Sequence, residues 1–146
     1  MELSLALTMP RDEQTVPVAR HIVRNAMEQV GVEGTCIDDV ELALSEACTN
    51  VLLHSGPGDR YIVRLDLEDH LGVIRVIDVG RGFDSARLQA EGSLPHAERG
   101  RGLGLMRALV DRVDFTSRSE AGTIVTLEKV LDFGDEAFLV GRGKQV

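Results

Sequence analysis

The chain of 146 residues has no tryptophan, one tyrosine and four phenylalanines. Its core must therefore be built from Val, Leu, Ile and Ala, and it offers no set of rings on which single-stranded nucleic acid could stack. Positive charge is also short. Sixteen Lys and Arg stand against 24 Asp and Glu, a formal net charge of −8 that argues against direct binding to a phosphate backbone. Cysteine is limited to Cys36 and Cys48, with no CxxC pair. Both fall in one helical segment, where twelve residues span roughly 18 Å, beyond disulfide reach. No apolar run approaches the length of a membrane span, and residues 1–10 lack the positive start and apolar stretch of a secretory signal. The expectation is a soluble, reduced, cytoplasmic protein that binds neither membrane nor nucleic acid.

The apolar fraction of 43% is ordinary for a folded protein, and the length suits a single core. One domain over residues 1–131 is expected, followed by a patternless and mobile tail, 132–146. Leu3, Leu5 and Leu7 alternate with small or polar residues, as in a strand. A turn over 11–15 leads to a helix over 16–30, whose apolar positions Val16, Ala19, Val23, Ala26, Met27 and Val30 keep the helical period until Gly31 stops it. Thr35 and Asp38 resemble a capping box opening a second helix to about His54, broken by residues 55–59.

Strands are expected near 60–67 and 73–79, joined by a tight turn around 69–72. Residues 80–102 are rich in glycine and charge, with one helical patch at 86–90. A stretch of that size in a small domain reads as a functional loop or lid. A third helix is expected from about Gly102 to Val113, then strands over 114–118 and 123–130 joined by a turn at 120–122. This order predicts an α/β two-layer sandwich: a mixed, mostly antiparallel sheet with its helices on one face.

Three clusters carry chemistry. Glu46 and Asn50 lie one turn apart on the second helix, opposite an apolar stripe of Ile37, Val40, Leu44, Ala47, Cys48 and Val51. Asn is a poor residue for a helix interior, but its amide oxygen is a hard ligand suited to Mg²⁺. A glutamate beside it could take a proton from an attacking hydroxyl. An isolated pair of this kind is more often a solvated face. Asp78 closes an apolar strand and is followed by Gly80 and Gly82. Its carboxylate could accept a hydrogen bond from an adenine amino group, and the glycines would let backbone approach the base. Taken alone, this is more often an ordinary turn. Gly100-Arg101-Gly102-Leu103-Gly104-Leu105 runs into the third helix, where exposed N–H groups and the helix dipole suit phosphate. It is not a P-loop, since no Lys-Ser or Lys-Thr follows and the only lysines are Lys129 and Lys144. Nor is it a Rossmann fingerprint, because the spacing is GxGxG and no parallel βαβ unit surrounds it.

In order and spacing, the clusters resemble the GHKL ATPase superfamily of gyrase, Hsp90, histidine kinases and MutL. Residues 46–50 match its N box, 78–82 its first glycine box and 100–105 its second, while Gly122-Thr123 looks like its adenine-side threonine. The resemblance covers residues 3–130 and implies the Bergerat ATP-binding fold. Residues 41–47, Gly82-Phe83-Asp84 and Met106 after the last glycine box look most like bacterial anti-sigma factor kinases of the RsbW and SpoIIAB type. That likeness implies a homodimer that binds ATP and Mg²⁺, sequesters a sigma factor, and phosphorylates a Ser or Thr of a STAS-domain antagonist. It makes Glu46 the catalytic base, Asn50 the Mg²⁺ ligand and Asp78 the adenine acceptor. Gly80 and Gly82 would shape the base pocket, Gly100, Gly102 and Gly104 would hinge a lid and meet phosphates, and Arg101 is a candidate phosphate contact.

A different class remains open at this point: a regulatory module that binds ATP to order its lid and presents a surface to a partner without transferring phosphate. A histidine-kinase fragment is disfavoured. His21 is followed by Ile22-Val23 rather than by the acidic residue and proline of a phospho-acceptor box, and no dimerisation or transducer segment is apparent. Arg20 and Arg24 are either partner contacts or solvated charges.

Overall fold

Alternation of large apolar and polar residues sets the sheet. A computed structural model describes residues 2–54, 60–78, 96–118 and 122–134 of the chain. In it, β1 (Glu2–Pro10), β2 (Arg60–Glu68), β3 (Leu71–Asp78), β4 (Arg112–Arg118) and β5 (Gly122–Val130) form one sheet in the order β1-β2-β3-β5-β4. Every pairing is antiparallel, so among the described strands the sheet is not mixed. On β2, Tyr61, Val63, Leu65 and Leu67 are buried, while Arg60, Arg64 and Glu68 alternate outward.

The β2–β3 loop is shorter than the sequence suggests. Asp69 and His70 alone make the turn, and Glu68 pairs with Leu71. Asp69 takes φ 53°, a left-handed conformation that a short polar side chain tolerates. Gly72, expected in the turn, lies in β3 beneath Leu131. An added Cβ there would stand 3.2 Å from a Leu131 methyl, so the small residue is set by packing.

Among the described residues, three α-helices cover the other layer: α1 (Val16–Gln29), α2 (Gly34–His54) and α3 (His96–Leu109). Pro17 lies in the first turn of α1, where its missing N–H costs nothing. Gly31 ends α1 at φ 90°, a conformation that strains any residue with a Cβ. The apolar faces of α1 and α2 (Ala19, Val23 and Met27; Ile37, Val40, Leu44, Ala47 and Val51) join the inner face of the sheet in one core. Each fully buried Val, Leu or Ile in it contributes about 1.5–3 kcal/mol.

The expected capping box does not form. Helix α2 begins at Gly34, which puts Thr35 inside it, and the Thr35 hydroxyl donates to Glu33. Asp38 instead bonds Arg24 at 2.9 Å, and Arg24 also meets Glu28 at 3.0 Å and Glu41. A guanidinium shared by three carboxylates offers Asp38 stronger, charge-assisted bonds than a backbone N–H would. Arg24 thus clasps α1 to α2, while Arg20 reaches Glu41 at 3.9 Å and Ser45 at 3.4 Å.

The third helix starts earlier than expected, at His96, so the glycine run lies within it rather than ahead of it. Leu103, Met106, Leu109 and Val110 recur at helical spacing and join the core. That burial outweighs a propensity cost of about 1 kcal/mol per glycine. The first residues assigned to the tail are also docked. Val32 and Phe133 form an isolated antiparallel bridge, the Glu33 N–H donates to Asp132 O at 2.7 Å, and the Phe133 ring meets His70 edge-on at 5.5 Å. The helical patch at 86–90 and residues 135–146 lie outside the described residues.

Candidate nucleotide site

Chain direction brings the sequence clusters to one end of the sandwich. Helix α2 starts near the Val130 end of β5, where the Cys36 thiol faces Val130 O at 3.9 Å and Lys129 reaches Asp39 at 3.5 Å. It finishes near the other end, where the carbonyls of Val51 and Leu52 accept from Arg11. Helix α3 runs the opposite way. Lys129 also donates to Leu109 O at 2.7 Å, so the C-terminus of α3 stands beside the N-terminal part of α2. Seven residues back along α3 from Leu109 is Gly102, and seven forward along α2 from Asp39 is Glu46. Equal rise per residue then sets the glycine run level with Glu46 and Asn50. By the same periodicity Asp39, Glu46 and Asn50 share one stripe, the one turned towards α3. Glu46 and Asn50 are both half-buried.

The ends of the central strands complete this end. Asp78 is the last residue of β3, fully buried and opposite Tyr61 of β2. Ile77 pairs with Ile124 of β5. Extending that register by one residue sets Asp78 against Thr123, which is also buried. A carboxylate and a hydroxyl thus stand side by side on the inner face of the sheet, at the end where α2 finishes and α3 begins. Four of the five expected parts of the site therefore converge: Asp78, Thr123, the Glu46–Asn50 turn, and the helix backbone from Gly100 to Leu105. The fifth, Gly80 with Gly82, lies outside the described residues, as does the side chain of Arg101. Leu103 and Leu105 are half-buried and Gly104 is exposed, with open space where a Cβ would stand.

One residue escaped the sequence reading. Arg11 follows the last residue of β1 and looks like part of a polar turn, yet its side chain is only 11% exposed. Its Nε lies 3.9 Å from Asp78 Oδ1, while Nη2 donates to Val51 O at 3.3 Å and Leu52 O at 3.2 Å. The available signal was indirect: an aspartate ending an apolar strand is buried, and a buried carboxylate calls for a cation nearby. Tyr61 and Cys48 also line this region. Burial pushes both upward, the Cys48 thiol to about 12, and the Tyr61 hydroxyl shares a hydrogen bond with Thr15.

Known proteins resemble this chain in sequence and in fold. A family model described as a histidine kinase-like ATPase domain matches residues 9–129. The chain is 30% identical over 138 residues to a protein named serine-protein kinase RsbW from Halalkalibacterium halodurans, covering 88% of this chain and 83% of that one. It is 33% identical over 103 residues to the anti-sigma F factor of Bacillus licheniformis, covering 65% and 70% respectively. Among solved structures, the RsbU and RsbW domains of a Mycobacterium tuberculosis protein match with TM-score 0.69 at 23% identity, over 88% of this chain and 32% of that chain. The SiaB-SiaC complex of Pseudomonas aeruginosa matches with TM-score 0.60 at 19% identity, over 86% and 88%. At those identities the solved structures speak for the fold alone.

Proposed function

Given that the chain belongs to the histidine kinase-like ATPase family, we propose that it is an anti-sigma factor and an ATP-dependent protein serine/threonine kinase. It sequesters a sigma factor and phosphorylates a STAS-domain antagonist of that factor. The observation that carries the reading is the meeting of Asp78, Thr123 and the Glu46–Asn50 stripe at one end of the sandwich, beside a helix that contains three glycines. It is supported by the likeness to proteins named serine-protein kinase RsbW and anti-sigma F factor.

The residues fit the nucleotide. A buried carboxylate suits an adenine amino group, the Thr123 hydroxyl adds a donor and acceptor, and the amide oxygen of Asn50 suits Mg²⁺. Bound there, ATP with Mg²⁺ supplies a phosphoryl group whose charge is already partly neutralised. Asp78 orients the base, with Gly80 and Gly82 shaping its pocket. The run Gly100, Arg101, Gly102, Leu103, Gly104 and Leu105 would meet the phosphates with its backbone N–H groups once these leave the helix that holds them in the unliganded chain. Glu46, a half-buried carboxylate one turn from Asn50, accepts the proton of the attacking hydroxyl as general base. The protein works as a homodimer in the cytoplasm and binds neither nucleic acid nor membrane directly. No helix among the described residues is long and apolar enough to cross a membrane.

The test is phosphotransfer from labelled ATP to purified STAS-domain proteins of the same genome. The unaltered chain should label one of them on Ser or Thr, and Glu46→Gln should bind ADP normally but transfer at least a hundredfold more slowly, within the range of general-base effects of about 10²–10⁴. Failure to label any candidate would sink the kinase reading.

A further inference from the structure

Both edges of the sheet have a neighbour on one side only among the described residues, and they are built differently. On β4, Arg112 and Asp114 lie on the face away from the helices and pair at 2.8 Å. Charge along an edge keeps other strands from adding to it. In contrast, β1 carries no charge between Leu3 and Pro10. It pairs with β2 over nine residues without a break. Leu3, Leu5 and Leu7, on the helix side opposite Leu67, Leu65 and Val63, are only half-buried. A long, regular, uncharged edge of this kind is a template for another strand.

The helix layer is divided in the same way. Helix α2 packs on β3 and β5, with α3 beside it on the β4 side. Helix α1 lies along the other flank of α2 and therefore stands over β1 and β2. Arg20 and Arg24 of α1 face α2. The opposite flank, above the β1 edge, carries Val18, Ile22, Asn25 and Gln29. None of these is charged, Val18 is 50% exposed and Ile22 is half-buried.

We propose that this uncharged side, β1 with the outer flank of α1, binds a second copy of the chain, β1 against β1 about a twofold axis. The inference rests on the homodimer given above and supplies its surface. Self-complementarity fixes the register. Antiparallel pairing centred on Leu5 sets Leu5 opposite Leu5 and Leu3 opposite Leu7, which joins the leucine rows of both copies on the helix side. On the other face Ser4 meets Ala6 and Glu2 meets Thr8, so no like charges oppose one another. A slip of one residue would turn the partner's leucines to the opposite face. A slip of two would leave Leu3 or Leu7 without a leucine opposite. A lone strand pair is small beside the about 1,000 Å² that a lasting interface needs, and the α1 flanks supply the second layer. Because Met9 lies across β2 from Asp78, the two candidate nucleotide sites fall at opposite ends of the joined sheet.

The experiment pairs introduced cysteines, since Cys36 and Cys48 are buried. Chains carrying Ser4→Cys and chains carrying Ala6→Cys are oxidised separately and after incubation together. The register sets Ser4 of one copy opposite Ala6 of the other, about 4.5–5.5 Å apart at Cα and within disulfide reach. Like positions stand two residues out of step, about 8 Å apart and beyond it. The mixture should therefore give a disulfide-linked dimer at least about tenfold faster than either chain alone. Sedimentation then measures the dimer Kd. Leu5→Lys, which sets two ammonium groups together on the axis, should raise it at least about tenfold. Val18→Glu, at an exposed position, should raise it too, and it keeps the test alive should Leu5→Lys fail to fold. If the unaltered chain is dimeric but the mixture links no faster and neither variant weakens it, this surface is overturned and the homodimer stands. A monomeric unaltered chain would overturn both, and leave the edge to the chain's own residues 135–146 or to another protein.

Discussion

Replacing Gly104 by alanine separates what the third helix needs for folding from what the site needs for its ligand. Gly104 lies inside α3, five residues before its end, on the exposed side, and an added Cβ would meet nothing within 4 Å. The steric cost is therefore nil, and the propensity difference remains, a gain of about 0.8–1 kcal/mol for Ala over Gly in a helix interior. For a domain of this length that raises the melting temperature by about 3 °C. Binding should move the other way. If the glycine run must leave the helical form to meet phosphates, the same stabilisation is subtracted from the binding free energy, and affinity for ATP falls about fivefold. Circular dichroism melts of the unliganded protein and ATP titrations of the same samples read the two effects separately. A lowered melting temperature would refute the continuous helix through Gly104. A raised one with unchanged ATP affinity would refute the claim that this helix rearranges on binding.

Two further expectations are simpler. Gly31→Ala forces a Cβ into φ 90°, so it should destabilise the fold by about 1–2 kcal/mol and lower the melting temperature by about 3–6 °C without altering ADP affinity; an unchanged melt would show that the turn relaxes at no cost. Cys48 is fully buried with its thiol raised to about 12, and Cys36 is buried and raised as well. Only the thiolate reacts, so neither should be alkylated by iodoacetamide at pH 8 in the folded protein, and both should be in urea; labelling of the folded protein at the urea rate would contradict the burial.

The parts of this fold that were legible in the sequence are those with a strict period. The alternation on β2 and the heptad-like apolar positions of α2 place the strands, the helices and the two-layer arrangement. Boundaries were harder wherever a local signal competed with a distant one. Thr35 and Asp38 have the local chemistry of a cap, but Arg24, fourteen residues away in the chain, takes Asp38. The glycines of residues 100–104 read as the approach to a helix, but the burial of Leu103 and Met106 draws them inside it. Asp132–Gly134 has no period at all, and is held by backbone hydrogen bonds to Gly31 and Glu33 that no side-chain pattern announces. For the candidate site, Glu46, Asn50 and Asp78 were visible as residue types at telling positions, and Thr123 through the family resemblance. Arg11 was not, because its significance lies in three atoms contributed by α2 and β3.

The stitching between residues 31–33 and 132–134 has a further consequence when set against the position of the candidate site. The α1–α2 connection, the Asp69–His70 turn, the start of β4 and the docked Asp132–Gly134 all gather at the end of the sandwich away from Asp78. Helix α2, β3 and β4 end at His54, Asp78 and Arg118, at the opposite end. In the proposed reading, the docking of the last described residues and the recognition of nucleotide fall at different poles of one small domain. A substitution beside Asp78 therefore leaves the backbone bonds that join Gly31 and Glu33 to Asp132 and Gly134 untouched, while one at Gly31 acts on them directly.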